Sequence, residues 1–111
     1  MEPTSSRLPL LKIKGEIAGD GDMEIDGQVE GKISLPRHKL TIGHSGQLNC
    51  DINVREMIVY GRVEGQILVG GLIQIRKGAT VVGKIKAARL LIEDGAEFQG
   101  YIEMEPRGMK P

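Results

Sequence analysis

The sequence predicts an all-β fold, a single right-handed parallel β-helix (β-solenoid) of about six coils of about 17 residues each. Its first support is a repeated phrase, because MEIDGQVEGKI at residues 23–33 returns as MIVYGRVEGQI at residues 57–67. Its second support is the alternation of apolar and polar residues within both phrases, which is the period of a half-buried strand. Each coil would contain three short strands and bury its apolar residues against the neighbouring coils.

A shorter motif, apolar-x-small-x-apolar, marks the individual coils. It occurs six times, and its starting residues lie 16, 19, 15, 18 and 17 positions apart. This drifting spacing differs from the strict six-residue period of left-handed hexapeptide helices and therefore favours the right-handed form. The small residues at the six centres are Gly15, Gly31, Cys50, Gly65, Gly83 and Gly100. We expect them to form an interior structural column with no room for a larger side chain.

One folded domain with short tails is expected from a length of 111 residues. Residues 1–9 contain two prolines and a Thr-Ser-Ser cluster, which is typical of a flexible N-terminal tail. The β-helix is predicted at residues 10–104, and a short C-terminal tail at residues 105–111, where prolines end the alternation. The first residues lack a positive segment followed by a long apolar one, so a cytoplasmic protein without a secretory signal is expected.

The charged residues balance one another and are dispersed along the chain. Fifteen basic residues match fifteen acidic ones, and no stretch gathers lysine and arginine into a stripe with stacking aromatics. Nucleic-acid binding is therefore not expected. The net charge of zero leaves little repulsion between copies, which favours self-association. No apolar run approaches the ~18 residues that a membrane-spanning helix requires.

No motif in the chain predicts catalysis, a cofactor or a metal. His38 and His44 fall in bends, with no cysteine or carboxylate at ligand spacing nearby. Asp20 and Asp22 match neither the EF-hand spacing nor the calcium-binding nonapeptide repeat. Cys50 occupies a small-residue position, where we expect an apolar side chain and not a reactive thiolate. A protein that is not an enzyme is therefore expected.

Residues 90–104, LLIEDGAEFQGYIEM, closely resemble the terminal signature of bactofilins, a strand followed by Gly-Ala-x-Phe-x-Gly. The earlier Met-x-Ile-x-Gly-x-Val-x-Gly-x-Ile units also look like bactofilin coils, so the resemblance covers residues 13–104. It departs from the pattern at Cys50, where the other coils have glycine. The resemblance implies a bacterial cytoskeletal protein with a compact right-handed β-helix that polymerises end to end without nucleotide. It further implies a scaffold that positions cell-wall enzymes or other partners, often at the membrane.

The sequence supports polymerisation independently of the family. A β-solenoid has two open ends, and a monomer needs a polar or helical cap to cover them, but no such cap is visible in the sequence. We therefore expect a homopolymer whose contacts are made by apolar residues of the first and last coils. The predicted interface residues are Leu8, Leu10, Leu11, Ile13, Leu90, Ile92, Phe98, Ile102 and Met104.

Three functional hypotheses remain open at this stage. The first is a filament-forming scaffold for cell-shape, cell-wall or polar-localisation machinery, with the N-terminal tail a candidate contact to the membrane. The second is a non-polymerising β-helical binding module similar to the β-helical domain of septum-site inhibitors. The third is a hexapeptide-type transferase trimer.

Overall fold

The computed structural model describes the backbone of residues 6–104 and the side chains of residues 14–104. Within this range all regular structure is β-strand. The strands are β1 (Ser6–Ala18), β2 (Met23–Ile42), β3 (Gln47–Val59), β4 (Arg62–Ile75), β5 (Thr80–Ile92) and β6 (Glu97–Met104). Consecutive strands pair in parallel in the order β1-β2-β3-β4-β5-β6.

Parallel pairing of consecutive strands shows that the chain coils. Two straight parallel strands need a crossover of a dozen or more residues, whereas only four residues separate β5 from β6. Each long strand must therefore bend through a circuit and return beside its own beginning. The fold is a β-solenoid, as the repeat predicted, with about five turns where about six coils were predicted.

The interior of the solenoid is aliphatic because alternate residues of every strand point inward. Along β3, for example, buried and exposed residues alternate from Gln47 to Val54. Parallel pairing then stacks equivalent residues of successive coils, as in the column Ile33, Ile52, Ile67 and Ile85. All four are at most 2% exposed, and no polar or charged residue is buried within the described part of the chain.

The strands bend at corners where the pairing register shifts. One corner shifts between Leu35 and Lys39 in β2, between Val54 and Met57 in β3, and between Val69 and Leu72 in β4. A second corner contains short turns closed by backbone hydrogen bonds, such as the one that the Ala79 amide donates to the Arg76 carbonyl over 2.9 Å. These corners give the coil its cross-section and decide which side chains share an edge.

The observed start of the solenoid differs from the predicted one. β1 begins at Ser6, four residues before the predicted boundary at residue 10, because residues 6–9 pair in parallel with residues 23–26. Residues 1–5 and 105–111, which the sequence assigns to tails, lie outside the described residues.

Oppositely charged residues are register partners in the first three strands. Lys14 lies opposite Glu30, Glu16 opposite Lys32, and Lys32 opposite Asp51. Among the described side chains, however, these residues do not approach closely enough to form ion pairs. The alternating charges therefore agree with the register and add little direct attraction.

The small-residue column is present, but its crowding has a different cause from the one expected. Gly15 pairs with Gly31, Gly65 with Gly83, and Gly83 with Gly100, so the residues do stack. Gly15, Gly31 and Gly100 are exposed, so these glycine positions are not interior, whereas Cys50 of the same column is buried. A Cβ atom on Gly65 would overlap the Cys50 carbonyl oxygen of the preceding coil. A larger side chain is therefore excluded by the backbone of the neighbouring coil and not by the packing of the core.

Candidate functional site at the C-terminal end

The last coil leaves one edge of the sheet unpaired within the described residues. β6 pairs with β5 from Thr80–Glu97 to Ala87–Met104, and none of residues 6–104 pairs with its other side. Residues 89–92 of β5 likewise have a partner only in β4. This end of the solenoid therefore presents backbone N–H and C=O groups in the geometry that accepts a further strand.

Apolar side chains surround this unpaired edge. Phe98 stacks on Val81 and Ile102 on Ile85. Val81 and Ile85 are fully buried, whereas Phe98 and Ile102 are only half-buried because no further coil within the described chain covers them. We name these residues and their neighbours at the same end the apolar end. Its members are Leu90, Ile92, Phe98, Ile102 and Met104.

The apolar end coincides with the C-terminal half of the predicted interface. Ile92 and Met104 are 42% and 44% exposed, although they occupy inward positions above Ile75 and Ala87, which are at most 1% exposed. Large apolar residues exposed together at an end are the usual mark of a surface that another chain covers.

The N-terminal half of the predicted interface lies outside the described side chains. Its residues are Leu8, Leu10, Leu11 and Ile13. The backbone places Leu8 opposite Ile25 and Ile13 opposite Val29, both of which are inward positions. Leu10 and Leu11 fall at the register shift between Pro9 and Lys12.

A ladder of polar and aromatic side chains follows the corner that leads to this end. The His44 and Tyr60 rings lie 5.1 Å apart, and the Arg76 guanidinium lies 5.7 Å from the Tyr60 ring centroid. Arg76 Nε then approaches Glu93 Oε2 at 3.1 Å. The Lys77 amide donates a hydrogen bond to Glu93 Oε1 over 2.8 Å. The ladder thus connects four successive coils and ends in a carboxylate at the corner between β5 and β6.

The ladder changes the pKa values of its ionic pair, Arg76 and Glu93. Hydrogen bonding to the Arg76 guanidinium, then to the Lys77 amide, lowers the pKa of Glu93, and the same carboxylate raises the pKa of Arg76. A lowered carboxyl pKa favours the folded state above the ordinary pKa of glutamate. This stabilisation is lost as the pH falls through the lowered pKa of Glu93, and it is small because both groups are solvated.

Cys50 is buried at the one central position of the six motifs without a glycine. Burial, together with the charge of the adjacent Asp51, raises the pKa of its thiol to about 12. It is 5% exposed and packs with the aliphatic core. This environment suits a small apolar side chain and keeps the thiol protonated.

Cys50 should consequently resist thiol reagents in the folded protein. At pH 8, a thiol with a pKa near 12 has about three orders of magnitude less thiolate than an ordinary cysteine, and only the thiolate reacts. We expect labelling with a disulfide reagent such as dithionitrobenzoate to be slower by at least that factor in buffer than in denaturant. Equal rates in buffer and in denaturant would contradict the buried, protonated state.

Residues with metal-binding potential do not assemble into a site within the described chain. No group of three or more histidine, cysteine or acidic residues there has a geometry that could hold a metal ion. His38 lies between two carboxylates, with Nε2 3.7 Å from Asp20 Oδ1 and Nδ1 3.8 Å from Asp22 Oδ1. Asp22 Oδ1 also accepts a hydrogen bond from the Lys39 amide over 2.9 Å. These contacts fasten the corner of the first coil to the bend of the second.

The structure gathers basic residues that are dispersed in the sequence. The same corner of the solenoid holds Arg37 and Lys39 in β2, Arg55 in β3 and Arg89 in β5, and no basic residue in β4. There Lys39 pairs with Glu56 and Leu72 with Arg89. We name this corner the basic edge. It comprises residues 36–39, 55–56, 70–72 and 88–89. These residues are far apart in the chain and close along the solenoid axis, because neighbouring coils are about 17 residues apart, and no Phe, Tyr or Trp lies among the residues of the basic edge.

Comparison with known proteins decides the family. A family model described as "Bactofilin: Polymer-forming cytoskeletal" matches residues 9–103, which include the apolar end up to Ile102 and nearly all of the solenoid. The chain belongs to the bactofilin family. The resemblance of the last coil to the bactofilin signature is thereby confirmed, and the family is one of polymer-forming cytoskeletal proteins.

Three bactofilins of Myxococcus xanthus are similar to the chain over most of its length. BacO is 43% identical over 95 residues, which cover 86% of this chain and 75% of BacO. BacN is 45% identical over 97 residues, covering 87% of this chain and 85% of BacN. BacP is 35% identical over 96 residues, and the match spans 86% of this chain but 40% of BacP. No solved structure gives a significant match.

The described residues also bear on membrane crossing. No helix within them is long and apolar enough to span a bilayer.

Proposed function

We propose that the chain assembles end to end into filaments that need no nucleotide, and that these filaments act as a scaffold for cell-shape, cell-wall or polar-localisation machinery. The observation that carries this proposal is the apolar end. Its partly exposed Phe98, Ile102 and Met104 lie beside strand edges that are unpaired within the described chain. A second copy placed there would continue both the inner columns and the hydrogen-bond ladder.

Apolar burial at this end would favour assembly. Burial of several hundred Å² of apolar surface, at about 25 cal/mol per Å², contributes on the order of 10 kcal/mol before the cost of association. The core below the end is already closely packed, since Val81 and Ile85 are 0% exposed. The side chains below the end are therefore already ordered, and the binding of a second copy costs little additional conformational entropy there.

The non-polymerising hypotheses require features that are not found in residues 6–104. A discrete β-helical module needs a polar or helical cap, but the described end is apolar and the described range contains no helix.

The proposal also includes two functions that the family resemblance implies. The filament would recruit cell-wall enzymes, and its N-terminal tail would contact the membrane.

Purified protein should form long unbranched filaments in the absence of nucleotide. The measurement is negative-stain microscopy together with sedimentation, after enzymatic removal of any copurified nucleotide. Because apolar burial drives the contact, filaments should persist when salt is raised. Isolated particles or compact trimers at every concentration tested would contradict the proposal and favour the binding-module or transferase hypothesis.

A further inference from the structure

We infer that a groove on one wall of the solenoid binds an extended acidic peptide segment of a partner protein. This wall lies between the small-residue column and the basic edge, and the groove runs along the solenoid axis. The inference rests on the proposed scaffold function in one respect, because it names the class of partner that the filament would hold.

Two ladders of outward side chains form the sides of the groove, which encloses about 450 Å³. The first ladder comprises Glu16, Lys32, Asp51, Gln66 and Lys84. The second ladder comprises Ser34, Asn53, Leu68 and Lys86. Between the ladders lie Ile33, Ile52 and Ile67, whose side chains are at most 2% exposed, so the floor of the groove is their backbone.

The length of the groove suits a short peptide. It crosses five coils, from Glu16 in β1 to Lys84 in β5. Adjacent coils of a parallel sheet are about 4.8 Å apart, so the groove is about 19 Å long. Because an extended chain rises about 3.3 Å per residue, about six residues would fill it.

The charge of the groove favours an acidic occupant at its C-terminal half. Three lysines line the whole groove against two carboxylates, those of Glu16 and Asp51. Around Lys84 and Lys86 the other described lining residues are neutral, and the nearest carboxylate along the ladders is Glu103, the register partner of Lys86. Carboxylates of a peptide would therefore be attracted to this half.

The basic edge adds positive charge along one border of the groove. Arg37, Arg55 and Arg89 are exposed and follow the second ladder by two or three residues in the chain. Glu56 is the only carboxylate among the residues that define the edge. Charge of one sign along a concave surface raises the local concentration of oppositely charged ligands and their rate of association.

Two lysines of the first ladder are available to a ligand. Lys32 and Lys84 are exposed, and neither forms an ion pair with another described residue. Each can donate a charge-assisted hydrogen bond to a carboxylate without first breaking an ion pair inside the described chain.

A second hollow beside Lys84 provides an apolar contact. It encloses about 550 Å³, and its lining includes Lys84, Gly83, Gly100 and Tyr101. The glycines leave this room because they have no side chains, and the Tyr101 side chain at its border is 77% exposed. An aromatic or large aliphatic side chain of the peptide would pack against Tyr101 there, as aromatic residues commonly do at interfaces.

The two carboxylates of the groove favour a peptide over a uniform polyanion. Nucleic acid and polyphosphate carry a negative charge at every repeat, so some of these charges would face Glu16 and Asp51. A peptide can place carboxylates opposite the lysines and neutral residues opposite the two acids, which gives selectivity as well as attraction.

The test is selection of peptides from a display library of random eight-residue sequences, with the unmodified full-length protein as bait. The affinity of the most frequently selected peptide is then measured by fluorescence anisotropy. The groove variant combines Lys32→Gln and Lys84→Gln. Its matched control combines Lys14→Gln and Lys77→Gln, which remove the same charge from exposed lysines outside the groove. All three proteins are also measured with Phe98→Arg, so that binding to dispersed subunits is tested apart from assembly.

We expect the selected peptides to combine several aspartates or glutamates with one aromatic or large aliphatic residue. Each exposed pair of a lysine and a carboxylate contributes up to about fivefold in affinity, so the groove variant should bind about tenfold more weakly than the control. Binding should also weaken as salt is raised.

Three results would overturn the inference. They are selection of no peptide or of peptides without acidic enrichment, equal affinity of the groove and control variants, and tighter binding of polyphosphate than of the selected peptide. Groove-dependent binding to Phe98→Arg subunits supports the inference even where filaments fail to form. Filaments that form without groove-dependent binding would leave the assembly proposal standing and overturn only the peptide site.

Discussion

A Phe98→Arg substitution is expected to leave a folded solenoid that no longer forms filaments. Phe98 is half-buried at the apolar end, where it is the register partner of Val81 and packs against the core. An arginine there can turn its guanidinium to solvent in the single subunit, so the cost to folding is modest. At a subunit contact the same charge would be desolvated without a partner, which is strongly unfavourable.

The expected effect on assembly is large. Loss of a central aromatic anchor typically costs 2 kcal/mol or more, equivalent to about a 30-fold rise in the concentration needed for assembly. We expect analytical ultracentrifugation to detect only small species at concentrations where the unmodified protein sediments as filaments. Circular dichroism and thermal melting of the small species should still show the β-fold.

Tyr101→Arg is the matched control for this prediction. Tyr101 lies on the same strand, three residues away, but points outward and is 77% exposed. The same charge is therefore added to the same strand without entering the apolar end, and filaments should persist. Filaments of Phe98→Arg that sediment like the unmodified protein, or equal dispersal of both variants, would contradict the assignment of the apolar end.

The inside and outside of the solenoid could be predicted from the sequence because one period controls both. Alternation decides which residues point inward, and the coil spacing decides which residues stack. The pairs Val29–Leu48 and Val81–Phe98 follow directly from the spacing of the apolar-x-small-x-apolar motif and are confirmed by the pairing. Exposure of Ile92 and Met104 at the end follows in turn, because inward residues of a terminal coil have no neighbour above them.

The corners were harder to predict because their lengths vary. Between the inward residues on either side, the corner takes residues 36–39 in the second coil and only residues 55–56 in the third. A reading of the sequence stretch by stretch therefore suggests dispersed charge, although Arg55 and Arg89 are 34 residues apart, which is two coils.

The interior position expected for the glycine column failed for a related reason. The pattern apolar-x-Gly-x-apolar places glycine in phase with inward residues, so alternation alone predicts that it faces the core. A glycine with a φ of +129°, such as Gly65, breaks that phase and turns the strand. The sequence shows that a small residue is required but does not reveal whether a side chain or a backbone excludes a larger one.

Gly65→Ala is expected to reduce the stability of the solenoid strongly. Its φ of +129° is a conformation that residues with a side chain rarely adopt, and the strain alone costs about 1–3 kcal/mol. The added Cβ would also overlap the Cys50 carbonyl oxygen, so the two coils must separate locally. We expect a total loss of about 3 kcal/mol or more in the free energy of unfolding, which at about 4–8 °C per kcal/mol is a large fall in melting temperature.

Gly15→Ala distinguishes the effect of the positive φ from the effect of the overlap with the neighbouring coil. Gly15 has nearly the same φ, +131°, but a Cβ on it would have no heavy atom within 4 Å in the described structure. It therefore experiences the backbone strain without the overlap, and its loss should be clearly smaller than that of Gly65→Ala. Both variants are measured in the Phe98→Arg background, because assembly would otherwise add to the apparent stability. Equal losses would show that φ alone requires glycine, and an unchanged melting temperature for Gly65→Ala would contradict the close approach of the two backbones.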